Sequence, residues 1–210
     1  MAEVYNPLDK SNLGISVANA LLAQPVHPLG TIPAFEGAGI YVLYYRGPFP
    51  DYAPIAAANV EEARWPIYIG KAVPSGSRKG ASLSASARGT SLYKRLAEHR
   101  DSIREVELDS GSLAVDDFQV RYLTVDDIWI PLGESLLIAR FRPVWNIALD
   151  GFGNHDPGKG RYEGLRPLWD HVHPGRGWAT KCAVRLESQD ELSLRVAEYL
   201  VAHPLVPDGN

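Results

Sequence analysis

"GAGIYVLYYRG" at positions 37–47 and "WPIYIGKAV" at positions 65–73 decide how the rest of this chain is read. Both are short apolar runs, and both hold a tyrosine at a matching place beside glycine. In the first, alternation puts Ile40, Val42 and Tyr44 on one face of a strand and Tyr41, Leu43 and Tyr45 on the other. In the second, Pro66–Gly70 reads as a strand whose Ile67 and Ile69 share one face while Tyr68 takes the other. A sheet core would prefer Val or Ile at the tyrosine positions. Two tyrosines beside glycine, with Lys71 directly after the second, therefore ask for a reason beyond packing.

What surrounds the pair supplies candidates. The link from Arg46 to Trp65 is long for a hairpin, and its "IAAANVEEAR" predicts a helical turn. "PSGSRKGASLSASARG" (74–89) is Ser/Gly-rich, with Arg78, Lys79 and Arg88 and no acid, the composition of a loop that reaches a phosphate backbone. Thr90 then caps a helix running to about Arg104. Leu92, Leu96 and Ile103 form its apolar stripe, with Arg95 and His99 one turn apart on the shoulder. "DFQVRYLTV" is a third strand. Pro131 suits the first helical position, Glu134 lies in the first turn, and "LGESLLIARF" must stop before Pro143. Asn146 follows in "PVWN".

The two ends read as extensions. Residues 1–36 hold a short helix in "SNLGISVANALLAQ", with Asn12 as cap and Ile15, Val17, Ala20 and Leu21 as its apolar positions. Residues 150–210 are Gly/Pro/His-rich at first. They close with an amphipathic helix at about Asp190–Ala202, with Leu192, Val196 and Leu200 inward. No linker separates these pieces, so the expectation is one elaborated domain over 1–210 with a core at 37–149.

Bulk composition bounds the function. A chain of 210 residues at 45% hydrophobic builds a sizeable core. No uncharged apolar run approaches the roughly 18 residues that cross a bilayer, so no membrane partner is expected. "MAEVYNPLDK" has an acid at Glu3 and no apolar centre, so no secretion signal is expected. Cys182 is the single cysteine, which fits a reducing cytoplasm. The net charge of −4 argues against a nucleic-acid binder, but the charge is blocked. Residues 64–104 carry nine Lys/Arg against two acids, 105–135 one Arg against eight acids, and 140–185 eight basic against four acidic residues. A basic face on an acidic protein is thereby available, as is a simply well-solvated surface.

In the order strand–strand–helix–strand–helix the chain now carries Tyr41, Tyr68 with Lys71, Arg95 with His99, Glu134, and Asn146. This set resembles the GIY-YIG nuclease superfamily. "GIY" stands at Gly39–Tyr41 and "YIG" at Tyr68–Gly70, letter for letter. The helix arginine matches Arg95 in "LYKRLAEH", the metal-binding glutamate matches Glu134, and the late asparagine matches Asn146. "GIYVLYY", "PIYIGKAVP", "DGFGNHDPG" and "HPGRGWATKC" further resemble the type II restriction endonucleases of that superfamily, almost to the C-terminus.

The resemblance implies an α+β fold with a small three-stranded, mainly antiparallel sheet flanked by helices. It also implies hydrolysis of DNA phosphodiesters to 5′-phosphate and 3′-hydroxyl ends. Tyr41 would activate water and needs His99 to take or share its proton, since a free phenol ionises near pH 10. Arg95 would offset charge on the nonbridging oxygens. Glu134 would hold one divalent ion, Mg2+ with Mn2+ as a substitute. Tyr68 and Lys71 would bind the scissile phosphate, and Asn146 would fix local geometry. Double-stranded DNA at a short GC-rich palindrome, with CCGCGG as the first site to test, would be read by a homodimer. Arg78, Lys79, Arg88, His155, Lys159, Arg161 and Arg176 are the candidate DNA contacts. A DNA methyltransferase in the same bacterial cytoplasm would be the functional companion.

Other readings stay open at this level. A GIY-YIG repair or homing nuclease lacks its usual appended DNA-binding module here, and a catalytically silent DNA-binding regulator has no use for Glu134. "GNHDPGKG" (153–160) nearly spells a phosphate-binding G-x-x-x-x-G-K-[ST] loop, but Gly160 replaces the hydroxyl that would hold Mg2+. His171 and His173 could share a strand face as metal ligands, although only Cys182 is available to extend them.

Overall fold

The computed structural model describes residues 6, 8–74, 89–158 and 160–205. Arg78, Lys79, Arg88 and Lys159 lie outside the described residues. Among the described residues the strands are β1 (His27–Pro28), β2 (Gly39–Tyr45), β3 (Pro66–Ala72) and β4 (Phe118–Thr124). The helices are α1 (Lys10–Leu22), α2 (Ala53–Ala58), α3 (Ser91–Asp109), α4 (Ile130–Phe141), α5 (Val144–Ile147), α6 (Leu168–Val172) and α7 (Gln189–Ala202).

The sheet is antiparallel throughout, in the order β1-β4-β2-β3. The fold is α+β as expected, with one strand more than the expected three: the two-residue β1 pairs with β4 beyond the central strands. β2 is central, and all seven of its residues are buried, so both faces need cover. Tyr41, Leu43 and Tyr45 face a core shared with Leu92, Leu96 and Ile103 of α3, Trp145 of α5, Trp169 of α6 and Val196 of α7. Ile40, Val42 and Tyr44 face Ala18 and Leu21 of α1 and Ile130 and Leu137 of α4. The segment after residue 149 thus packs into the same core as the sheet.

Four local expectations need correction. Ile67 does not share a face with Ile69. Leu43 pairs with Tyr68 and Tyr44 with Pro66, so Ile67 is the extra residue of a bulge and joins the core on the side of Tyr68. Asp9, not Asn12, caps α1, accepting from the Ser11 amide at 2.8 Å, and the buried face of α1 is Gly14, Ala18 and Leu21, with Ile15 half exposed. Thr90 holds the cap position of α3 without a side-chain bond; the Leu92 amide donates instead to the Gly37 carbonyl at 3.0 Å. Glu134 is the fifth residue of α4, which starts at Ile130, and so lies one residue further in than expected, just past the first turn.

The 46–65 excursion is closed by Asn59, whose fully buried side chain accepts from the Arg64 and Trp65 amides and donates to the Tyr45 and Trp65 carbonyls. No helix among the described residues is long and apolar enough to cross a membrane.

Candidate active site

β3 is the sheet edge, and this position lets groups from both sheet faces meet around it. From the α3 side come Tyr41, Tyr68, Arg95 and His99. From the α4 side comes Glu134, whose Oε2 accepts from Lys71 Nζ at 2.6 Å. Tyr41 Oη lies 2.5 Å from His99 Nε2. His99 was expected on the shoulder of the α3 stripe but belongs to the stripe itself and is 2% exposed. Arg95 keeps the shoulder.

The glycines of the motif have a steric reason. A Cβ on Gly70 would overlap the Tyr41 hydroxyl and ring. The Tyr41 side chain lies across the second strand, which is why the glycine following Tyr68 must stay bare. The opening pair of stretches is one device: a tyrosine from β2 lies over the glycine of β3.

Asn146 serves β3 from outside. Its Oδ1 accepts from the Ile69 amide and its Nδ2 donates to the Ile69 carbonyl, both at 2.8 Å. The side-chain amide imitates a neighbouring strand at the one residue between Tyr68 and Gly70, so the edge is held where the site needs it.

The electrostatics keep the pair neutral. Burial raises the Tyr41 phenol well above its usual 10; the Tyr68 oxygen adds to this and Arg95 partly offsets it. Burial, with the charges of Arg95, Arg176 and His155, holds His99 well below the usual imidazole range. Burial raises Tyr68 too, against Arg95. Burial opposes the Arg95 charge, but Tyr41, Glu98 and Tyr68 outweigh it and its pKa is raised.

A turn from the C-terminal region covers this cluster. Phe152 stacks on the His99 ring at 4.4 Å between centroids and 18° between planes, and meets Tyr68 edge-on at 5.0 Å. Arg95 donates through Nη2 to the Gly153 carbonyl at 2.5 Å and through Nη1 to Glu98 at 3.0 Å, and Nη1 lies 2.6 Å from His155 Nε2. Phe152 was not singled out from sequence, and Gly153 only as the first residue of the near phosphate-loop. They lie in irregular chain with no periodicity, and the available signal was the resemblance of "DGFGNHDPG" alone.

The fate of the other expected contacts is mixed. His155 and Arg161 are exposed and line one cavity of about 380 Å³ with Gly153, Asn154 and Trp178. Arg176 does not reach the surface. It is 2% exposed, pairs with Asp170 and lies between the rings of Trp169 and Trp178, so the expectation of a DNA contact is withdrawn. His173 is a core residue, bonded to Tyr52 Oη at 2.7 Å and to Ser112 Oγ at 2.9 Å. The near phosphate-loop at 153–160 is followed by turns, not by a helix, up to α6. A larger cavity of about 650 Å³ beside Trp65, Phe141 and Leu205 shares no lining residue with the cluster.

Residues 33–200 match the Eco29kI GIY-YIG domain, 168 of the 210 residues. This chain belongs to the Eco29kI GIY-YIG family. That family is one of type II restriction endonucleases, nucleases that act on DNA, and the match runs past the sheet and α4 to include α6 and most of α7. No curated protein is significantly similar to the chain.

The donor set bears on the metal such a nuclease would use. Glu134 offers one half-buried carboxylate at the strand edge, and no group of three or more His, Cys, Asp or Glu side chains converges among the described residues. A single carboxylate fits Mg2+, which keeps several waters and takes further oxygens from phosphate. It does not fit a structural Zn2+, which needs four closed ligands.

Proposed function

We propose that this chain is a Mg2+-dependent type II restriction endonuclease. It would hydrolyse one phosphodiester in each strand of a short GC-rich palindrome, with CCGCGG the first site to test, leaving 5′-phosphate and 3′-hydroxyl ends. The observation that carries the reading is the convergence of the Tyr41–His99 pair, Tyr68, Arg95 and the Lys71–Glu134 pair around one edge strand.

Attack requires water to lose a proton as its oxygen bonds to phosphorus. Tyr41 Oη accepts that proton while passing its own to His99 Nε2, so neither phenolate nor free hydroxide has to form beforehand. In the free protein burial, with nearby cations adding to it, holds His99 neutral and weakly basic. A scissile phosphate beside Arg95 offsets one of those cations, so the substrate itself returns part of the proton affinity of His99. Arg95 faces the charge growing on the nonbridging oxygens, and Tyr68 and Lys71 hold the phosphate in line. Mg2+ bound at Glu134 would supply charge to the departing 3′ oxygen. Asn146 keeps β3 in register for all of these.

A palindrome is matched most simply by two copies of the chain, each cutting one strand. His155, Arg161 and, outside the described residues, Arg78, Lys79, Arg88 and Lys159 are the proposed DNA contacts. A host would need a methyltransferase to protect its own sites, and the bacterial cytoplasm is the proposed setting.

The test is digestion of plasmid and genomic DNA with Mg2+, mapping of the cut ends, and sedimentation on a cognate duplex. Discrete fragments with 5′-phosphate ends and a two-chain complex are expected. A preparation that leaves both DNAs intact sinks the proposal; cutting at another sequence overturns only CCGCGG.

A further inference from the structure

Arg176 and Asp170 lie outside the cluster that touches substrate, yet they are among the most completely bonded side chains of the molecule. We infer that they are positioning residues: the buried pair fixes the Gly151–Asn154 turn, and through it sets Arg95 and His99. The inference rests on the nuclease reading above and deepens it.

A guanidinium has five N–H donors. Arg176 uses all of them on two partners of different kinds. Nε donates to Asp170 Oδ1 at 2.6 Å, and Nη2 donates to Asp170 Oδ2. The remaining three go to carbonyls of the turn: Gly151 at 2.9 Å, Phe152 at 3.0 Å and Asn154 at 3.0 Å, while the Gly153 carbonyl between them is left to Arg95. Trp169 and Trp178 flank the guanidinium, with ring centroids 4.7 and 4.8 Å from its carbon. Asp170 and Arg176 are 1% and 2% exposed.

Besides Arg176, the turn is held by the Asn154 amide donating to the Gly151 carbonyl at 3.0 Å and by the buried Phe152 ring. Gly151 adopts φ +111°, a conformation open to glycine, and a side chain there would overlap Pro167. Its three inward carbonyls need donors, because buried backbone acceptors without partners are costly. A buried ion pair is a poor way to gain stability alone, since apolar residues of similar volume often serve as well. What apolar residues could not supply is three donors at fixed angles. The fork is the template on which the turn is shaped.

The turn presents two groups to the active site. Phe152 stacks on the His99 ring and thereby limits its rotation about the Tyr41 bond. The Gly153 carbonyl accepts from Arg95 Nη2, and there is no room for a side chain on Gly153 against Tyr68 Oη. Displacing the turn by a few tenths of an ångström therefore moves the proton acceptor and the phosphate clamp together.

The test uses the full-length protein in three variants. Arg176→Lys keeps the charge and loses the fork. Asp170→Asn keeps the shape and loses the anion. Phe152→Leu leaves the pair intact and removes the stacked ring. Single-turnover cleavage at saturating DNA and DNA affinity are measured for each, at a temperature where melting curves show the variant folded. Rates at least 10-fold lower with affinity within about 3-fold of wild type are expected, a loss in the chemical step alone. The second readout needs no cleavage: the His99 ring proton signals, assigned among six histidines, are expected upfield in wild type because of the Phe152 ring and shifted back in all three variants. If Arg176→Lys fails to fold, Asp170→Asn carries the test. Variants that fold, cut at wild-type rate and keep the upfield signals overturn the inference while the nuclease reading stands. A wild-type protein that cuts no DNA overturns that reading, and the histidine signals still decide whether the pair sets His99.

Discussion

Two buried tyrosine–histidine pairs lie within this fold, and they have different surroundings. Tyr41 and His99 meet at 2.5 Å, and Tyr52 and His173 at 2.7 Å, each through a phenol oxygen and Nε2. All four side chains are essentially removed from solvent, and burial raises both phenols and lowers both imidazoles. His173, however, feels burial alone, whereas His99 also feels Arg95, Arg176 and His155. The other nitrogen of His173 is tied to Ser112, and its rings are Phe49, Trp145 and Trp169. The Tyr41 pair instead borders Tyr68, Arg95 and, through the strand edge, Lys71 and Glu134. A tyrosine–histidine bond is thus not a catalytic signature by itself. The charges within reach decide whether its proton has anywhere useful to go.

The largest effect expected comes from removing those charges. Arg95→Ala and Glu134→Ala should each lower single-turnover cleavage by about 10³-fold or more, while a gel shift shows DNA binding largely kept, because both act on charge that develops in the transition state. Beside burial, the charges that Tyr52 feels are the neighbouring Asp51 carboxylate and the Tyr45 phenol, and His173 feels burial alone. Glu134→Ala cutting at wild-type rate would show that the charged surroundings are not what separates the pairs.

Exchanging hydroxyls tests the pairs directly. Tyr41→Phe keeps the ring and deletes the proton acceptor, so cleavage should fall by about 100-fold or more, the usual scale of general acid–base help. Tyr52→Phe should leave the rate within about 3-fold and cost about 1–3 kcal/mol in urea unfolding, since His173 Nε2 loses its buried partner. Equal rate losses in the two variants would erase the distinction.

How far sequence could see into this contrast depends on where each residue lies. Tyr41, Tyr68, Arg95, His99, Lys71, Glu134 and Asn146 were legible through a family resemblance whose motifs lie in order on regular strands and helices, and the structure brings them to one edge. The three main strands and the two long helices around them were legible through alternation and 3.6-residue spacing. The bulge at Ile67 was not, because one extra residue leaves an apolar run looking the same. The face of α1 was misread because Gly14, where a Cβ would run into Leu136 of α4, carries no apolar side chain to reveal it. Arg176 was read as a DNA contact because charge suggests surface; its partner Asp170 lies in the short α6 and its three carbonyls in the irregular turn at 151–154, and no periodicity encodes their meeting. The Tyr52–His173 pair escaped notice for the same reason, the two residues being 121 positions apart.

Protonation separates the pairs more gently. Burial takes His173 down to about 3. Its unfolded value is near 6.5, so below that pH the unfolded chain binds a proton that the folded chain refuses. Stability therefore holds above about pH 6.5 and is lost as pH falls toward 3. Between pH 7.5 and 5 the contribution from His173 is about 2 kcal/mol. Urea titrations of wild type and His173→Gln at those two values should show a loss smaller by about that amount in the variant. An unchanged loss would assign the acid sensitivity to His99 and other groups, and the core pair would no longer be the titrating one.

The smallest effect concerns Ser112. A neutral imidazole has one N–H and one bare nitrogen, and on His173 both are satisfied, by Tyr52 at one end and Ser112 at the other. Ser112→Ala leaves Nδ1 without that partner. The serine is only partly buried and also bonds Ser110 Oγ at 3.2 Å, so water can replace some of what is lost, and the cost should be about 1 kcal/mol. Cleavage should not change. Yet a route between the pairs exists: Tyr52 packs on Trp145 at 5.8 Å, Trp145 on Phe152 at 4.7 Å, and Phe152 on His99 at 4.4 Å. If tilting His173 moves that ring series, Ser112→Ala will slow single-turnover cleavage despite lying outside the site. A fall of more than about 3-fold, with the protein folded and its DNA affinity kept, would mean that the two pairs are coupled through one aromatic core. The structural pair would then be a support for the catalytic one, and the contrast between them would be one of distance from the phosphate and not of kind.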